Sequence, residues 1–148
     1  MEAISACACF KSRNYGAFEL PITTTELSGI MSNNVSWNLQ VNINDGSQDA
    51  FRALMQEMVA ATREEAGALG YEWFISADGS SCHINERYTD SAAVMVHLGN
   101  FGANFAERFM SMVAPAAFVV YGEASDEVRG ALAGLGPAFY GTFGGFSR

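Results

Sequence analysis

LGYEWFISADGSSCHINERYTDSAAVMVHL, residues 69–98, is the stretch whose reading decides the fold. Alternating residues flank Asp78-Gly79, and after Asp90 the apolar residues fall three to four apart, so the segment reads as strand, tight turn, strand, helix. If Asp78-Gly79 closes the hairpin symmetrically, Ile75 faces Cys82, Trp73 faces Ile84 and Tyr71 faces Glu86 on one side of the sheet. The other side carries Phe74 beside His83, Glu72 beside Asn85, and Arg87. A one-residue bulge would change these partners but not the side each residue takes in its own strand.

Upstream, Val35 to Asn44 alternates without a fault. Val35, Trp37, Leu39, Val41 and Ile43 take one face, while Ser36, Asn38, Gln40, Asn42 and Asn44 take the other. Asn is depleted in strands, so a face rich in amides suggests a lined cavity or a partner surface. Asp45 or Ser47 caps a helix, with Gln48 placed for a capping box with Asp45. Phe51, Leu54, Met55, Met58 and Thr62 form its buried stripe, and Gly67 ends it. Residues 1–33 show no sustained period and read as an irregular N-terminal extension, with Met31 placed as an alternative start.

Downstream, Asp90 or Ser91 caps a second helix with Val94, His97, Leu98 and Phe101 on one face. Gly99 and Gly102 weaken it, and a continuation through Phe105, Phe109 and Met112 runs to Pro115. Ala117–Tyr121 is a fourth strand. Ser125-Asp126-Glu127 opens a third helix with Val128, Leu132 and Leu135 inward, and Gly136-Pro137 closes it. In the final segment, Ala138–Arg148, Phe139, Tyr140, Phe143 and Phe146 should dock onto the body or a second subunit, because aromatics are seldom left in water.

The order strand, helix, strand, strand, helix, strand is the split βαβ, ferredoxin-like motif, an α+β fold with a four-stranded antiparallel sheet. We expect residues 34–123 to form that domain and residues 124–148 to add a C-terminal helix and tail. Both helices should cover the apolar face, leaving the amide-rich face open. At 148 residues and 49% hydrophobic, the chain suits a single globular domain. A net charge of -8, with no run of Lys or Arg, argues against nucleic acid and anionic membranes as partners. No secretory or membrane-spanning stretch is evident, which makes the cytoplasm the expected location. Cys7, Cys9 and Cys82 read as reduced thiols, and Cys7-Ala8-Cys9 has no second ligand pair for a metal.

Gly70-Tyr71-Glu72, the Asp78-Gly79 turn, Glu86-Arg87-Tyr88, Asp90, Ala93 and His97-Leu98 together resemble, in order and spacing, the antibiotic biosynthesis monooxygenase family of dimeric α+β barrel proteins. The resemblance covers about residues 35–122. It implies a homodimer whose two sheets face each other, a cavity in each subunit, and cofactor-free oxidation of small quinols or polycyclic aromatics. In such a site Arg87 would hold a phenolate or enolate, and Asn38 or Asn42 would hydrogen-bond a carbonyl or peroxide oxygen. His97 or His83 would take the proton, with Gln40, Phe74, Asn85 and Tyr88 contributing to substrate binding. Haem-degrading relatives carry a Trp where this chain has Tyr88 and a His late in the second helix, where Phe105–Met112 has none; this argues against haem degradation.

Simpler readings compete with each of these roles. His97 on an apolar helical face can be a hydrogen-bonded core histidine, Arg87 can pair with Glu72 across the hairpin, and Asn38, Gln40 and Asn42 can form amide ladders. Two lone histidines make no metal site. The alternative function is therefore a non-catalytic small-molecule-binding or dimerisation module. Whether Arg87, His97 and an amide of the first strand converge on one enclosed cavity separates the two readings.

Overall fold

A computed structural model describes residues 32–145. Most of the N-terminal extension, Cys7, Cys9 and Phe146 lie outside the described residues. The elements run β1 (Val35–Ile43), α1 (Gln48–Arg63), β2 (Ala68–Ile75), β3 (Ser81–Tyr88), α2 (Ser91–Asn104), α3 (Ala106–Met112), β4 (Val113–Tyr121), α4 (Asp126–Leu132), a 3-10 turn at Ala133–Leu135, and β5 (Ala138–Tyr140). The sheet order is β2-β3-β1-β4-β5. Its first four strands are the antiparallel ferredoxin-like set, with the helices on one face.

The hairpin has the register that its alternation predicts: Tyr71 opposite Glu86, Trp73 opposite Ile84, Phe74 opposite His83 and Ile75 opposite Cys82. The carboxylate of Asp78 ties the turn. It accepts from Ser76 Oγ at 2.6 Å, Ser80 N at 3.0 Å and Ser80 Oγ at 2.8 Å, and these bonds hold its pKa down to about 2. Gly79 has φ +74, the left-handed conformation that glycine adopts at little steric cost.

Among the described residues the sheet has five strands rather than the expected four. β5 pairs in parallel with the end of β4, from Val119 opposite Ala138 to Tyr121 opposite Tyr140. Three strand residues between Gly136-Pro137 and Gly141 are too short to show alternation. The long second helix breaks at Phe105, whose φ of -129 leaves the helical range, into α2 and α3. β4 begins at Val113, four residues before the predicted start at Ala117, and takes Pro115 into the strand. Pro115 is tolerated where the register with β1 slips, between Gln40 and Val41, and where β4 has no second neighbour.

Two expected helix ends also differ. Ser47 is the N-cap of α1 without a side-chain bond, and the helix stops at Arg63, so Gly67 does not terminate it. Gly67 instead lets the chain pass α2, since a Cβ there would lie 2.3 Å from Ala93 Cβ. Asp90 and Ser125 cap α2 and α4 as expected, accepting from Ala93 N at 2.8 Å and Val128 N at 3.3 Å.

The core lies between sheet and helices in two clusters that share Leu39. Trp37, Tyr88, Val94, Val120 and Val128 form one; Val41, Phe51, Leu54, Ile84 and Phe109 form the other. Each buried Val, Leu or Phe contributes about 1.5–3 kcal/mol. Among the described residues no helix lies over the opposite sheet face. Phe74, Tyr121 and Tyr140 remain about half exposed there, at 51%, 46% and 58%.

Gly122 follows β4 at φ +93, and a Cβ on it would sit 2.3 Å from the carbonyl oxygen of Asn34 at the start of β1. Both the conformation and the clash oppose any side chain. We expect Gly122→Ala to cost more than about 1 kcal/mol and lower Tm by at least about 4 °C. Thermal denaturation followed by circular dichroism measures this, and an unchanged Tm would contradict the close β1–β4 packing.

Candidate functional site

Strand alternation explains how a carboxylate enters the core. Cys82, Ile84, Glu86 and Tyr88 share one face of β3, and all four are buried. Glu86 pairs with Trp37 of β1 on one side and Tyr71 of β2 on the other, so these three form a row across the sheet. α2 lies over that row and lowers His97, 5% exposed, onto it.

Four groups converge here. Tyr88 Oη donates to Glu86 Oε2 at 2.5 Å, and the Trp37 side chain hydrogen-bonds to the same carboxyl. His97 Nε2 stands 3.3 Å from Glu86 Oε2, while Nδ1 lies 3.0 Å from Glu65 Oε2. Glu65 occupies the turn after α1, and Asn100 Nδ2 donates to its other oxygen, Oε1, at 3.0 Å. The rings of Trp37, Tyr71 and Tyr88 surround the imidazole at 6.2, 5.8 and 5.1 Å between centroids.

Burial pushes the Glu86 carboxyl above the usual carboxylate range, against a partial pull downward from His97, Tyr88 and Trp37. Burial likewise pushes both phenols up, and the Glu86 charge adds to this, so Tyr71 and Tyr88 stay neutral. The imidazole thus bridges two carboxyl groups: a proton on Nδ1 directed at Glu65 leaves Nε2 facing Glu86, and Glu86 and His97 form a hydrogen-bonded pair that can share one proton.

A cavity of about 50 Å³ opens beside this pair. Glu86, His97 and Tyr71 are its ionisable lining; the remainder is apolar and includes Leu39, Met58, Phe101, Phe109, Leu132 and Leu135. Acid–base groups thus face a small, partly open apolar space, where electrostatic effects exceed those in bulk water.

The other predicted site residues sit on the open face. Asn38 Nδ2 donates to Asn85 Oδ1 at 2.6 Å, and Gln40 Nε2 donates to Asn38 Oδ1 at 2.9 Å, an amide chain within the subunit. Asn42 is exposed farther along β1, and Phe74 stands beside His83. Arg87 lines a broad open concavity of about 730 Å³ with Asn38, Glu72, Asn85 and Tyr121, a lining that also includes Trp37 and Glu86, and forms no ion pair with Glu72. His97 and Tyr88 therefore meet through Glu86 on the helix side, and one thickness of sheet separates them from Arg87 and Asn38.

Two residues of this arrangement were not among the sequence candidates. Glu86 had a signal, a carboxylate in phase with Cys82, Ile84 and Tyr88. Glu65 had none, because Arg63-Glu64-Glu65 looks like an ordinary charged helix end. Among the described residues no group of three or more His, Cys, Asp or Glu side chains is placed to hold a metal ion, and no helix is long and apolar enough to cross a membrane.

Fold and site together define a ferredoxin-like α+β protein with a buried acid–base pair beneath its helices. The antibiotic biosynthesis monooxygenase family matches residues 35–108, and the chain belongs to that family. It is similar to Rv0793 of Mycobacterium tuberculosis, named as a candidate monooxygenase, with 33% identity over 84 residues, 53% of this chain and 83% of that protein. Among solved structures it is similar to MupZ from Pseudomonas fluorescens, 28% identical with a TM-score of 0.72, over 80% of this chain and 91% of that one. SnoaB from Streptomyces nogalater, a cofactor-independent oxygenase, shares the fold at 14% identity and a TM-score of 0.54, over 63% of this chain and 95% of that one.

Glu86 also links site and stability. The unfolded carboxyl titrates near about 4.3, so between that pH and its raised folded pKa the folded state holds a proton that the unfolded state has lost. Stability due to this group therefore falls as pH rises through that window. His97, Glu65, Tyr71 and Tyr88 are the titratable groups facing it and remain in the variant. We expect Glu86→Gln to gain Tm relative to wild type as pH is raised from about 5 to 8; a difference that does not vary with pH would show Glu86 to be unperturbed.

Proposed function

We propose that the protein is a cofactor-independent monooxygenase acting on a small quinol or related phenolic aromatic, with Glu86 and His97 as its acid–base pair. The observation that carries this reading is the convergence of that pair on a small apolar cavity. Family membership and the relative named as a candidate monooxygenase support the reaction type.

The pair accepts the substrate's proton and passes from one shared proton to two. The positive charge gained on His97 then faces the phenolate, where a dry site makes the attraction strong. The electron-rich anion reduces dioxygen by one electron, and the two radicals combine at carbon to give a peroxide. The pair returns its proton to that peroxide; the C–H bond at the same carbon then breaks, its electrons form the new C=O as the O–O bond cleaves, and the departing hydroxide leaves with that second proton as water. Overall, substrate loses two hydrogens and gains one oxygen, while the second oxygen atom departs as water. Substrate supplies all the electrons.

At about 50 Å³ the cavity is far below the roughly 300 Å³ of an ordinary small-molecule pocket. A single ring suits it better than a polycyclic aromatic, and entry requires the wall to move. Leu135 lies on the outer side of that wall, 42% exposed, and belongs to the short 3-10 turn after α4. The small volume is also the observation that favours the second reading, a non-catalytic binding or dimerisation module. Under either reading the uncovered sheet face, with Phe74, Tyr121 and Tyr140, is the surface we assign to a second copy of the chain.

Oxygen uptake with a panel of hydroquinones and anthrone-type aromatics, without added cofactor, tests the proposal. Glu86→Gln and His97→Gln should each lower kcat by about 10²-fold or more. Arg87→Ala, on the far side of the sheet, should keep kcat within about threefold, below the size of an ordinary transition-state contact. A folded dimer with no uptake on any compound would support the non-catalytic module. A loss confined to Arg87→Ala would move the chemistry to the open face.

A further inference from the structure

We propose that Glu65 is a positioning residue that fixes the tautomer and orientation of His97 and thereby aims Nε2 at Glu86. This rests on the acid–base role given above to His97 and Glu86, and it assigns a function to a residue outside the cavity lining.

The aromatic rings around His97 supply packing, but their faces do not distinguish Nδ1 from a ring carbon. Glu65 does, through the 3.0 Å contact to Nδ1. Its own place is held from several directions. Its amide donates to Thr62 O at 3.1 Å, its carbonyl accepts from Ala68 N at 3.0 Å, and its second carboxylate oxygen accepts from Asn100. His97 and Asn100 are three residues apart on α2, so one helix face presents both to the same carboxylate. Glu65 is itself nearly buried, its side chain 9% exposed, which keeps solvent from competing for the contact.

A carboxylate on Nδ1 has two consequences for Nε2. It keeps that nitrogen free to share a proton with Glu86, and it fixes the plane of the ring so that Nε2 points at that carboxyl. Replacing the carboxylate by an amide of the same shape reverses the geometry. With Asn100 still donating to the oxygen, Glu65→Gln places its amide nitrogen opposite Nδ1, a donor facing a donor. The favourable outcome is a bare Nδ1 and a proton on Nε2.

Long-range ¹H–¹⁵N spectra of the full chain labelled at histidine read this directly. The chain has two histidines, His83 and His97, so His83→Gln assigns the signals. In wild type at pH 7 we expect His97 Nδ1 to be protonated, and in Glu65→Gln to be bare. A parallel assay of oxygen uptake should show kcat in that variant lower by at least about tenfold, a general acid–base effect, with KM little changed. Glu65→Leu, which offers neither donor nor acceptor, is the second variant.

A bare Nδ1 in wild type overturns the assignment, as does an Nδ1 that stays protonated in both variants. The spectra need no substrate. If wild type takes up no oxygen with the whole panel, the oxygenase reading fails, while the positioning role still stands or falls on the histidine signals.

Discussion

Glu86 is carried into the apolar layer by the same alternation that buries Ile84 and Tyr88, and much of the site's construction follows from keeping that carboxyl there. An isolated carboxylate in such surroundings would cost several kcal/mol. It is tolerated because Tyr88, Trp37 and His97 each direct a polar atom at it. The row Tyr71–Glu86–Trp37, the position of His97 over that row, and the turn that brings Glu65 to the ring serve the same group.

The sheet separates two environments that one set of strands supplies. On the helix side, acid–base groups meet a small apolar space. On the other side, Asn38, Gln40 and Asn85 satisfy one another in a chain of amides, and Arg87 faces an open concavity. Because neighbouring residues in a strand point to opposite faces, Glu86 and Arg87 belong to different sites although they are adjacent in sequence.

The buried pair also illustrates the tension between stability and function. A glutamine at Glu86 would satisfy the same donors without the cost of a charge, so a titratable group at this position is a stability cost that a purely structural core has no reason to carry. Its presence beside a cavity is what favours chemistry over packing alone.

The strand pairing, the order of elements, the caps at Asp90 and Ser125 and the side each strand residue takes were legible in the sequence, because period-two alternation and capping chemistry are local. The family resemblance was legible for the same reason, since it is carried by residues of one hairpin and the helix after it. β5 was not, because three residues between glycines carry no period. The convergence of Glu65, His97 and Glu86 was not either: it joins the end of one helix, the middle of another and a strand, at separations that no local pattern reports. The sequence alone determined which face Glu86 and Arg87 each take. Only the tertiary structure decided that His97 lands directly over Glu86 and within reach of Glu65, because that depends on where along the sheet α2 packs.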